Sequence, residues 1–163
     1  RDVTENIPGV VGRPAALGES CERMEHERDH LTALRDQLIA GLERIPHSIL
    51  NGDRTHRLPG NVHFCFEGIE GESLLLMLDD RGIAASSGSA CTSGSLDPSH
   101  VLLALGRPHE IAHGSLRLTL DVENTPEEVE EILQAVTEVV AALRGMSPVW
   151  RDLENGKRDF VIQ

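Results

Sequence analysis

One thiol stands in a setting where it could react. Cys91 lies in the run Ser86-Ser87-Gly88-Ser89-Ala90-Cys91-Thr92-Ser93-Gly94-Ser95. Small polar residues make poor core material, and no periodic face anchors them, so residues 86–97 read as a loop. A thiol acts as a nucleophile only when it is accessible and partly ionised. No cation lies near Cys91 in the sequence, so any lowering of its pKa must come from distant residues or from a bound ligand. Most free cysteines are buried and inert; the loop context argues against that for Cys91. Cys65 alternates with apolar residues and reads as a packing cysteine. Cys21 sits in a charged helical stretch with no assigned role. The three cysteines are odd in number and far apart, which argues against a disulfide framework and for a reducing, cytoplasmic compartment. None of the eight histidines is read as making a His-x-x-x-His pair with close partners, and no metal ligand is assigned.

The elements that would carry this loop follow from hydrophobic spacing. Leu31, Leu34, Leu38, Leu42 and Ile45 recur at three and four residues, so a long amphipathic helix is expected from about residue 19 to 45, stopped by Pro46. A short segment over 4–17 precedes it, with Thr4 as a helix cap. Ser48 to Asn51 reads as a short strand. Val62, Phe64 and Phe66 alternate with His63 and Cys65, as a strand would. A helix over 72–81 closes on Gly82. Ile83 to Ala85 reads as a strand, and Asp97-Pro98 as the start of a helix ending at Gly106, on which His100 is an exposed residue. Leu116, Leu118 and Leu120 mark another strand, with Arg117 on its polar side. Thr125-Pro126-Glu127-Glu128 is a capping box ahead of a helix that ends near Gly145.

Alternating helices and strands imply an α/β fold, a small mixed or antiparallel sheet covered by helices. The division expected is a linker and long helix over 1–45, an α/β domain over 46–145, and a loosely held C-terminal tail over 146–163. The chain of 163 residues is long enough to bury a core. Its net charge of −12 shows no basic face, which argues against a nucleic-acid partner, and no apolar run suits a membrane span. The absence of an initiator Met suggests a piece of a longer protein.

Several segments, in order, resemble one family. SSGSACTSGSLDPSHVLLALG at 86–106, LPGNVHF at 58–64, IEGESLLLMLD at 69–79, GSLRLTL at 114–120 and RDVTENIPGVVG at 1–12 are similar to segments of NifS/IscS-type cysteine desulfurases. The resemblance covers residues 1–148, and its Cys91 segment matches the subgroup with the longer loop. It implies the small C-terminal domain of a class V aminotransferase-fold enzyme that uses pyridoxal 5′-phosphate and assembles as a homodimer. Such an enzyme takes sulfur from L-cysteine, forms a persulfide on the residue matching Cys91, and hands it to an acceptor or iron–sulfur scaffold. Arg117 matches the arginine that holds the substrate carboxylate, a task suited to the guanidinium fork. Thr4 matches a threonine that reaches the cofactor phosphate of the neighbouring subunit, although Asp2-Val3 replace the family's Ser-Gly just before it. The family's Schiff-base lysine, ring-stacking histidine and pyridine-nitrogen aspartate belong to a large domain preceding this stretch, so the chain by itself is expected to be inactive. Two alternatives stay open: a sulfur-relay module that uses Cys91 without the cofactor, or another class V enzyme such as a selenocysteine lyase or aminotransferase.

Overall fold

Strand periodicity at residues 61–66 and 115–119 places two apolar rows on one side of a sheet, and the rest of the chain folds around that sheet. The computed structural model describes residues 5–88 and 98–162. Its elements are α1 (Ile7–Leu42), β1 (Ser48–Leu50), β2 (Asn61–Phe66), α2 (Gly71–Asp79), α3 (His100–Ala104), α4 (His109–Ala112), β3 (Ser115–Thr119), α5 (Pro126–Met146) and α6 (Pro148–Glu154). The strands form an antiparallel sheet in the order β1-β2-β3, so of the two expected forms the antiparallel one is present. Leu50 pairs with Phe64, and Phe64 pairs with Leu116.

Each face of the sheet has its own core. Val62, Phe64, Phe66, Leu116 and Leu118 pack with Leu38 and Leu42 of α1, Leu74 and Leu78 of α2, and Val136 and Val140 of α5. On the opposite face Cys65 joins Leu102, Ile111, Ala112 and Ile162, with Ile49 and Leu103 at the margin. This second layer comes from α3, α4 and the C-terminal segment, and it covers the end of the sheet near Cys65 and Ile49. It is the β2 pleat that separates the two, since successive side chains point to opposite faces.

Several expectations change. α1 is one helix of 36 residues that runs through Pro14. Its N-cap is Asn6, whose Oδ1 accepts the Gly9 N–H at 3.1 Å; Thr4, the expected cap, lies outside the described residues. α1 ends at Leu42, and a turn follows before Pro46. Ile83 to Ala85 do not form a strand; the chain there makes a single bridge, from Ser86 to Arg117. α4 is an additional short helix. The Thr125–Glu128 capping box is present with both of its reciprocal hydrogen bonds.

The C-terminal segment is held in place rather than loose. Glu67, at the end of β2, is buried, and its carboxylate accepts the N–H groups of Val161 at 2.8 Å and Ile162 at 2.9 Å. His47 donates from Nδ1 to the Ile162 carbonyl at 2.6 Å and stacks on Phe160. Arg144 donates to the carbonyls of Glu67 and His47 and lies 4.0 Å over the Trp150 ring. Burial pulls the Arg144 guanidinium down to about 10, opposed by the charge of Glu67, so it stays charged at neutral pH. Glu67→Ala would leave two backbone donors without their charged acceptor. A loss of roughly 1.5–3 kcal/mol in tail docking is expected, seen as faster tryptic cleavage at Lys157 and Arg158 than in the parent chain.

Candidate functional site

Arg117 is central to β3, on the face opposite the main core, and is half-buried. Antiparallel register sets His63 of β2 directly across from it. On its free side Arg117 exchanges backbone hydrogen bonds with Ser86: the Ser86 N–H donates to the Arg117 carbonyl at 3.1 Å, and the Arg117 N–H donates to the Ser86 carbonyl at 2.5 Å. Ser115 Oγ donates to the Ser87 carbonyl at 3.1 Å, two residues along the same face. Residues 86–88 are thus laid along the edge of β3. Gly88 has φ +84°, and a Cβ built there would sit 3.4 Å from His63 Cε1. The first residues of the expected loop therefore start beside the Arg117–His63 pair. Cys91 follows Gly88 by three residues in the sequence; like Thr4, it lies outside the described residues.

His63 is the residue that sequence reasoning missed. It was read only as the polar partner in an alternating strand, and nothing in the pattern shows which residue it faces. Burial, then the positive charges of Arg117 and Arg57, pulls its imidazole down from 6.5 to about 4. It is therefore neutral at physiological pH, and its Nε2 is buried without a hydrogen-bond partner among the described residues.

The sign of the resulting pH effect is fixed by the folded value lying below the unfolded one. Above about pH 6.5 His63 is neutral in both states. As pH falls from about 6.5 towards about 4, the unfolded chain takes up the proton first, so stability is lost across that window and levels off below it. His63→Gln should flatten this part of the melting-temperature profile between about pH 7 and about pH 5; an unchanged profile would show that His63 titrates normally.

Arg57 adds a second cation. It belongs to the connection between β1 and β2, and its Nη2 donates to the Asn51 carbonyl. Burial pulls its guanidinium down, and Arg35 adds to the effect while Asp53 opposes it. Asn51 is a buried hub: its N–H donates to the His63 carbonyl at 2.8 Å, its Nδ2 donates to Cys65 Sγ at 3.2 Å, and its Oδ1 accepts from Arg107 Nε at 2.9 Å. Cys65 is wholly buried, and that burial pushes its thiol up, which matches a packing role and leaves it unreactive. His100 opens α3 and is exposed, as expected.

The expectation that no histidines share a close spacing needs one correction. His109 and His113 are four residues apart at α4, with ring centroids 6.3 Å apart. No third ligand joins them: among the described residues no group of three or more His, Cys, Asp or Glu could hold a metal ion. No described helix is long and apolar enough to cross a membrane.

With this geometry in place, the likenesses to known proteins are specific. Residues 2–132 match the family model of aminotransferase class V. The chain is 51% identical, over 98% of its length, to cysteine desulfurase IscS of Clostridium botulinum, and covers 41% of that protein. It is 55% identical, over 90% of its length, to cysteine desulfurase IscS of Methanosarcina thermophila, and covers 36% of that one. A solved structure described as a NifS-like protein superposes with a TM-score of 0.74 at 30% identity, covering 88% of this chain and 36% of the other. The chain thus spans about two-fifths of the length of the curated relatives it matches.

Proposed function

This chain belongs to the aminotransferase class-V family, and we propose that it is the C-terminal part of a cysteine desulfurase, in which Arg117 holds the substrate carboxylate and Cys91 receives sulfur. One observation carries the reading. The residue suited to gripping a carboxylate is bonded, backbone to backbone, to Ser86, the residue that opens the Cys91 segment. This supports a reading in which substrate binding and sulfur acceptance share one edge of the sheet.

The overall reaction balances on this chain's thiol. The Cβ–S bond of L-cysteine breaks, an S–S bond forms on Cys91, and the proton that the thiol gives up is matched by one gained at Cβ, so that L-alanine leaves. The role of Arg117 is to fix the amino acid's carboxylate so that its sulfur is presented to the thiolate in one orientation. The neutral His63 beside it adds no competing charge to attract a second anion from solvent.

The family's cofactor is pyridoxal 5′-phosphate, and the described residues do not fit it by themselves. The only lysine in the sequence is Lys157. It is exposed on the C-terminal segment and paired with Asp152 at 3.2 Å. An aldehyde cofactor would have to be held by a large domain outside this chain. That domain, a homodimeric assembly, a cytoplasmic setting and a downstream sulfur acceptor or iron–sulfur scaffold are parts of the same proposal. The free thiols of Cys21 and Cys65 are compatible with a reducing compartment.

The test is to combine the chain with a family large domain carrying the lysine, add L-cysteine, and analyse tryptic peptides by mass spectrometry. One extra sulfur atom on the Cys91 peptide, with matching L-alanine, is the expected result, and Cys91→Ser should give neither. Alanine production that is indifferent to Cys91 would overturn the assignment.

A further inference from the structure

Three buried side-chain nitrogens have no hydrogen-bond partner among the described residues: Arg57 Nε, Arg57 Nη1 and His63 Nε2. They are close together in the fold. Arg57 is bonded through Nη2 to the Asn51 carbonyl, and the Asn51 N–H is bonded to the His63 carbonyl. His63 in turn stands across the ladder from Arg117. Arg57 thus stands at the β1–β2 connection beside Asn51, His63 on the central strand and Arg117 on the edge strand, and the charges of both arginines reach His63.

A buried donor without an acceptor is costly, and more so when it is charged. Native structures keep few such groups, and three at one place call for a reason. A guanidinium has donors and no acceptors, so whatever satisfies Arg57 must accept hydrogen bonds. The charge balance points the same way. The chain as a whole carries −12, yet the ion pairs among the described residues involve Arg23, Arg28, Arg35, Arg54, His56, Arg81 and Lys157, and leave out Arg57 and Arg117. Among the described residues neither guanidinium is in an ion pair, although the charges of Asp53 and Asp36 act on Arg57.

We propose that Arg57 and His63 join Arg117 in an anion-recognition site for a small carboxylate, donating hydrogen bonds that Arg117 alone does not supply. This rests on the reading of Arg117 as the carboxylate holder and adds to it two specificity-determining residues from outside the arginine strand. A planar carboxylate has two oxygens and four lone-pair directions, so one oxygen can meet the Arg117 fork while the other meets the Arg57 and His63 side. A neutral amide of the same shape presents only one strong acceptor and no charge. The site discriminates between the two by electrostatics, because burial strengthens the interaction of each guanidinium with an anion. The charged groups that bear on His63 are Arg117 from β3 and Arg57 from the β1–β2 connection; Arg35, Asp53, Arg54 and Asp36 bear on Arg57.

The experiment uses the full chain, with its histidine ring signals followed by NMR during titration with propionate and, separately, propionamide. His63 is assigned through His63→Gln. A saturable shift of the His63 signal with propionate, absent with propionamide, is expected, together with an upward move of the His63 titration when propionate is saturating. Arg57→Gln should weaken propionate roughly tenfold, the scale of one charge-assisted hydrogen bond, with the backbone amide spectrum showing that the variant remains folded. Equal responses to propionate and propionamide in the parent chain would overturn the proposal without any variant. Propionate binding that is lost in Arg117→Gln but unchanged in Arg57→Gln would overturn it while leaving the desulfurase reading intact.

Discussion

Gly114→Ala is expected to unfold the chain, or to leave it so weakly stable that no cooperative transition survives modest denaturant. Gly114 passes between α4 and β3 where the chain crosses the end of β2. A Cβ at this residue would stand 2.1 Å from the Phe66 carbonyl oxygen and 3.2 Å from that of Ile69. Both neighbours are backbone, so neither can rotate aside. The Gly114 carbonyl also accepts the Phe66 N–H at 2.8 Å, and the next residue, Ser115, pairs with Cys65 in the ladder. Relieving the clash would break that hydrogen bond and disturb the register that sets Arg117 opposite His63. Losses above about 4 kcal/mol are exceptional for one substitution, and this site meets the condition for one, against a total stability of about 5–15 kcal/mol for a domain. Urea denaturation is the measurement. Gly145→Ala is the internal comparison: it lies on exposed helix with nothing within 4 Å of the added carbon. It should leave stability unchanged or raise it by up to ~1 kcal/mol. Equal midpoints for the two variants would show that the crossing at Gly114 has room.

Arg117→Gln in the assembled desulfurase should lower kcat/KM for L-cysteine by roughly 10²- to 10³-fold, on the scale of one or two charge-assisted hydrogen bonds at about 1.5–3 kcal/mol each. Arg117→Lys should recover only part of this, because an ammonium keeps the charge but loses the planar fork. Steady-state kinetics with the three proteins side by side would check both. The same variant separates the desulfurase reading from a cofactor-independent relay. Sulfur passed to Cys91 from a preformed persulfide donor needs no amino-acid carboxylate, so a relay would run unchanged in Arg117→Gln. Undiminished turnover of L-cysteine in that variant would remove Arg117 from substrate binding.

What could be read from the sequence depended on how local the determinant was. β2, β3, α2 and α5 each carry their own signal, an alternation or a three-and-four spacing with caps, and each appears within a few residues of its expected place. α4 has four residues, too few for any period to show. Ile83 to Ala85 resemble a strand in composition, but they run past the edge of β3 and touch its ladder only at Ser86, so pairing rather than propensity decided their state. The expected short segment over 4–17 and the helix from about residue 19 are one helix; the Pro14 inside it removes one backbone donor, and the helix continues on both sides of it. The tail looked loose because its anchor, Glu67, lies 94 residues before Val161 and reads in the sequence as an ordinary acid after a strand. The same holds at the site. Arg117 enters the proposed site through resemblance, whereas His63 and Arg57 enter it only through strand register and the fold of the Asn51 turn, neither of which is written in nearby residues.

The closure of both sheet margins has a consequence for how the chain behaves at high concentration. Open strand edges are templates for adding strands from other molecules, and proteins blunt them with short strands, charges or covering segments. Here β1 is only three residues long, and the Leu50 carbonyl accepts from Arg107 Nη2 at 3.0 Å. At the other margin Ser86 takes both backbone groups of Arg117, the middle of β3. Each margin is short and partly occupied among the described residues, and a net charge of −12 adds mutual repulsion. The backbone contact between Ser86 and Arg117 therefore also guards the sheet against fibril-like self-assembly. Disrupting it by replacing Ser86 with proline, which has no N–H to give, would expose that edge to aggregation as well as to functional loss.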